Sequence, residues 1–115
     1  MEFKQELHGI PMYRILHTIK QLDSPNLQGK RKYATTTRIS KIIGKYPAYV
    51  TDRLNEYWAK SLVVKKPIKK ARRQYLKADG CTFHYRLTKT GERRLQRLME
   101  RFGDISQYLP NTPKN

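Results

Sequence analysis

Apolar residues recur at helical spacing in several stretches of this chain and alternate in another. Between residues 11 and 22, Met12, Leu16, Ile19 and Leu22 share one helical face with Ile15 beside them. A first helix is expected there, opened by Pro11 at a position that tolerates proline and closed by the loop residues Ser24, Pro25, Asn26 and Gly29. Residues 1–9 carry no such face and read as a polar N-terminal arm. The short, partly β-branched run Tyr33-Ala34-Thr35-Thr36 predicts a single edge strand. Thr37 then suits the N-cap of a second helix with Ile39, Ile42 and Ile43 as its buried stripe, and Gly44 suits a left-handed stop. Pro47 follows within a few residues, at the first position of a third helix.

With Val50 at the centre of a helical wheel of about one hundred degrees per residue, Leu54, Tyr57 and Trp58 fall in one sector, which predicts an inward face. The opposite side holds Ala48, Asp52, Asn55, Glu56 and Ala59, with Tyr49, Thr51 and Arg53 on the flanks. Extended chain is expected from Leu62 to Lys66, and Pro67 bars a helix there. Asp79-Gly80 is a hairpin signal, and Cys81, Phe83, Tyr85 and Leu87 alternate after it. Residues 62–87 therefore read as a β-hairpin with a long basic connection. Thr88 can cap a last helix carrying Leu95, Leu98, Met99 and Phe102 on one face, with Gly103 after it. The tail 104–115 is expected to fray, with Ile105, Tyr108 and Leu109 available to pack on a neighbour.

Composition narrows the meaning of this pattern. The 115 residues fit one domain, with eight Tyr, three Phe and Trp58 to anchor a core. Lys and Arg number 25 against 9 Asp and Glu, a formal charge of +16. So large an excess repels itself unless a polyanion offsets it, which makes a polyanionic partner the first expectation. Residues 60–101 hold fourteen cations and three acids, a difference of +11, so the positive field is concentrated in the C-terminal half. No run of about 18 apolar residues predicts a membrane span, and the N-terminus does not read as a signal peptide. The single Cys81 cannot form an internal disulfide, which fits a reducing, cytoplasmic setting, at the nucleoid in a prokaryote. His8, His17 and His84 are scattered, and no zinc set, phosphate loop or catalytic motif is found. The reading is of a binding protein without cofactor or metal, not an enzyme.

On the outer side of the third helix, small Ala48 allows close backbone approach, while Thr51, Asp52, Arg53 and Asn55 are types that read base edges. Asp52 can accept from the cytosine amine and repels phosphate otherwise. The alternative is that Asp52 pairs with Arg53 or a cation elsewhere, and Glu56 with Lys60.

The segments TTTRISKIIG, KYPAYVTDRLNEYWAKSLVVKK and FHYRLTKTGERRLQRL, in this order, resemble the winged helix-turn-helix transcription regulators, in the broad company of the MarR and PadR groups, over residues 10–103. Tyr46-Pro47 stands where such proteins more often carry a serine or threonine cap, and Ser61 where many carry glycine. The resemblance implies a mainly α fold with a small β-hairpin: a three-helix core, a basic wing and a C-terminal helix. It further implies that residues 47–60 enter the major groove of double-stranded DNA, with Ala48, Tyr49, Thr51, Asp52, Arg53 and Asn55 facing it. Thr37, Arg38, Lys45 and Tyr46 are then candidates for the DNA backbone, and Lys65, Lys66, Lys69, Lys70, Arg72, Arg73 and Lys77 for phosphates or minor groove along the wing. A second copy of the chain is a candidate partner through Leu95, Leu98, Met99 and Phe102, the alternative being that this stripe packs on the chain's own first helix. A competing function is an architectural or RNA-binding role in which charge dominates and the third helix is only a support.

Overall fold

Two threonine caps and two residues with left-handed backbone set where most elements of this chain begin and end. The computed structural model describes residues 2–24, 33–68 and 83–109. In order they form α1 (Glu2–Asp23), α2 (Thr36–Ile43), α3 (Pro47–Ala59), β1 (Val63–Pro67), β2 (Phe83–Leu87), α4 (Lys89–Phe102) and a short 3-10 turn (Ile105–Gln107). The architecture is four helices and one antiparallel strand pair, in the register Val63 with Leu87 through Pro67 with Phe83. The turn expected at Asp79-Gly80 and residues 110–115 lie outside the described residues.

The expected stop at Gly44 is present, with φ 73° and ψ 36°, and its N–H bonds to the Ser40 carbonyl. Pro47 opens α3 at the first helical position, where its missing N–H costs nothing. Thr88 caps α4 as expected, its hydroxyl oxygen accepting from the Gly91 N–H. The second cap lies elsewhere than expected. Thr35, not Thr37, is the N-cap of α2 and accepts from the Arg38 N–H, so the helix starts earlier and consumes Thr36. The edge strand expected over residues 33–36 is therefore absent as a strand. One trace of it remains, a 3.0 Å bond from the Tyr85 N–H to the Ala34 carbonyl.

Of the arm expected over residues 1–9, residues 2–9 are helical backbone, because α1 runs through Pro11 instead of starting there. Proline loses one ladder bond and crowds the carbonyl four residues back without ending the helix here, and Glu, Gln, Lys and Leu upstream are good helix formers. Tyr13, Ile15, Leu16, Thr18 and Ile19 are all buried, which covers more than half the circumference of α1 and makes it the central helix. It packs against α2, α4 and β2. The inward centre is thus Tyr13 to Ile19, while Met12 and Leu22, expected on that face, are half-buried at its margin.

Ile39 and Ile43 of α2 are buried as expected, but Ile42 is exposed. Helix α3 inserts Val50, Leu54 and Tyr57; Trp58, assigned inward from the sequence, is 52% exposed. It sits at the edge of the sector, near the helix end, where the core no longer covers it. Leu95 and Leu98 of α4 are buried within the chain and Phe102 half-buried, stacked 25° from the Tyr13 ring plane. The stripe offered as a subunit contact is thus largely taken by α1, and Met99 alone of its four residues is exposed. The Tyr13 hydroxyl donates to the Gly103 carbonyl, and Tyr108 donates to the Phe102 carbonyl at 3.2 Å. Ile105, Tyr108 and Leu109, the three tail residues set apart as able to pack, lie against the core.

Candidate nucleic-acid interface

The α3 sequence places two kinds of side chain on its outer half, and the fold leaves them in three strips. Directly opposite Val50, Ala48, Asp52, Asn55 and Ala59 are exposed, with Thr51 half-buried at the border. No other described element covers this strip. One flank is charged and self-paired: Arg53 bonds Glu56 at 3.1 Å, and Lys60 approaches the same carboxylate at 3.5 Å. Met12 of α1 borders Arg53, Glu56, Tyr57 and Lys60 in one shallow cleft. The Tyr49 ring carries Lys45 at 5.5 Å and Arg53 at 5.9 Å from its centroid. Arg53 is held on the flank, where the helical wheel put it, between Tyr49 and Glu56.

The two acids of α3 separate in this arrangement. Glu56 pairs with Lys60, as the alternative reading had it, and also with Arg53, which that reading had offered to Asp52. Asp52 is exposed and has no ion-pair partner among the described residues. A lone carboxylate on a surface surrounded by cations is free to accept from a donor on a ligand.

The other flank is aromatic. Lys65 of β1 lies 5.5 Å from the Trp58 centroid and 4.6 Å from that of Phe83, so two rings hold one ammonium beside the open strip. Trp58 and Phe83 were not among the site residues read from the sequence. The wheel put Trp58 in the inward sector, and its outward position follows only once β1 is known to pair with β2 beside it.

Around the α2–α3 turn, Thr37, Arg38, Lys45 and Tyr46 are all exposed, Tyr46 at 82%. Arg38 is engaged, donating to the Tyr33 carbonyl at 3.0 Å. Tyr46 is the N-cap residue of α3 and makes no side-chain cap bond. Lys66 is exposed on the far face of the strand pair, opposite His84 in the register. Burial first, then Arg86 and Lys66, push the His84 pKa down, with Asp23 opposing, which favours the neutral ring. Its ring lies 4.7 Å from that of Tyr33. Arg86 is tied to Asp23 at 3.2 Å. Lys69, Lys70, Arg72, Arg73 and Lys77 lie outside the described residues.

The strand pair is fixed to the helices at one junction. Ser61, with φ 63°, turns the chain from α3 into Leu62 and β1. Thr88 donates its hydroxyl to the Ser61 carbonyl at 2.6 Å and its N–H to the Leu62 carbonyl at 3.1 Å. A Cβ on Gly91 would stand 2.0 Å from that same Leu62 oxygen. Thr88 and Gly91 therefore lock α4 onto the end of α3, and the strand pair between them inherits that position.

Among the described residues no three His, Cys, Asp or Glu side chains are grouped to hold a metal ion, and no helix is long and apolar enough to cross a membrane. No protein-family model matches the chain, and no curated protein matches it.

Proposed function

We propose that this chain is a winged helix-turn-helix protein that binds double-stranded DNA in a sequence-dependent way and regulates transcription. One observation carries the reading: Ala48, Asp52 and Asn55 lie uncovered on the side of α3 directly opposite buried Val50 and Leu54. A helix so held by its neighbours presents a narrow, small-to-medium polar strip, the shape that fits a major groove. In this reading Ala48 admits the backbone, Asp52 accepts from a cytosine amine, Asn55 pairs with an adenine edge and Thr51 offers its methyl to thymine. Lys45, Tyr46 and Lys65 meet phosphates and set the register. Arg53 steadies the flank through Glu56 and reads no base.

The internal pairing of Arg53 favours a second reading. With the one arginine of α3 occupied, fewer long side chains remain to discriminate bases, which suits an architectural or RNA-binding protein whose affinity comes from charge. Competition gel shifts separate the two. Specific binding means that a selected duplex survives an excess of random duplex on the order of a thousandfold at physiological salt. Equal competition overturns the specific reading in favour of the architectural one, and stronger competition by RNA points to RNA. For either duplex mode, affinity falls about a thousandfold between 50 and 200 mM salt if about six phosphates are neutralised. A flat salt response contradicts both.

A further inference from the structure

Helix α4 carries a second basic surface that the proposed interface does not use. Lys89, Arg93, Arg97 and Arg101 stand four residues apart, so successive charges lie about 6 Å from one another along one side of the helix. All four are exposed, and none has an ion-pair partner among the described residues. The acids of α4 are directed elsewhere: Glu92 pairs with Lys20 of α1 at 3.2 Å, and Glu100 accepts from Gln96 at 3.2 Å. Like charges at this spacing repel within an isolated helix, and a polyanion relieves the repulsion.

The position of the row matters as much as its charge. Helix α4 packs its Leu95 face on α1, whereas α3 packs on α2 and β1, and α1 lies at the centre between them. Helices α3 and α4 thus sit on different neighbours instead of packing on one another, and the row is not part of the α3 surface. We infer that the Lys89-Arg93-Arg97-Arg101 row binds the phosphate backbone of a second duplex segment, so that one chain bridges two stretches of DNA. The inference rests on the proposal that α3 and the strand pair hold the first. An anionic lipid surface is the lesser candidate, because Leu95 and Leu98 are buried and leave α4 no broad apolar face to insert.

The test uses two short duplexes, each about one and a half helical turns, one immobilised and one fluorescent. Wild-type chain on the first duplex should retain the second. In the variant R93Q/R97Q/R101Q, retention should drop about tenfold or more while affinity for a single duplex stays within about threefold. Glutamine preserves helix propensity, and the charge-preserving R93K/R97K/R101K variant should bridge like wild type, which separates lost charge from lost fold. Undiminished bridging by the glutamine variant overturns the inference. So does a parallel loss of single-duplex affinity, which would place the row in the first footprint. Wild type that binds one duplex but never a second also overturns it and leaves the α3 reading intact, whereas wild type that binds no duplex defeats that reading itself. Row-dependent capture by phosphatidylserine vesicles without duplex bridging assigns the row to lipid and overturns it as well.

Discussion

At the scale of single residues, the junction of Ser61, Leu62, Thr88 and Gly91 decides how the strand pair is carried. The cap at Thr88 was readable from the sequence because threonine before a helical stripe is a local signal. The role of Gly91 was not, since the atom it must avoid, the Leu62 carbonyl oxygen, belongs to a distant part of the chain. Backbone cannot yield as a side-chain tip can, so Gly91→Ala is expected to destabilise the fold by about 2–4 kcal/mol. Ser61 has a left-handed backbone at φ 63°, a conformation that glycine adopts without its Cβ penalty. Ser61→Gly is therefore expected to stabilise by about 1 kcal/mol. Urea unfolding midpoints check both, and a Gly91→Ala midpoint equal to that of wild type would refute the close-contact argument.

At the scale of elements, periodicity located α3 well, and its proline start matched the structure. Where a pattern lay at a boundary it misled: Ile42 and Trp58 sit at the margins of their stripes, and the fold leaves both exposed. Pro11 misled differently, because the lost ladder bond and the crowding of the preceding turn do not terminate a helix that strong formers extend upstream. The exposure of Trp58 has a use in the proposed interface, as it and Phe83 hold the Lys65 ammonium beside the open strip. Trp58→Ala frees that lysine without opening the core. Duplex affinity is expected to fall about tenfold, with a stability loss below about 1 kcal/mol, measured by labelled-duplex anisotropy and thermal melting. Unchanged affinity would show that Trp58 does not position Lys65 for binding.

At the scale of the molecule, the sequence disclosed the charge and the polar side of α3, but not which charges remain available. The Glu56–Lys60 pair could be offered from spacing alone, whereas the partners that occupy Arg53, Arg38 and Arg86 inside the chain follow only from the fold. The apolar stripe of α4 was similarly ambiguous, since a stripe that covers a first helix and one that joins two subunits have the same spacing. Folding seats Leu95 and Leu98 on α1 and turns the cationic side of α4 outward. What stays uncovered on α3 is a small polar strip with one carboxylate, Asp52, that lacks an ion-pair partner among the described residues. The most direct measurement is selection from a randomised duplex pool by wild type and by Asp52→Ala. If α3 reads bases, the variant loses preference at one position, by about 1–3 kcal/mol of discrimination, while its affinity for random duplex holds or rises. An identical preferred sequence from both proteins, or no preference from either, would contradict base reading by this helix.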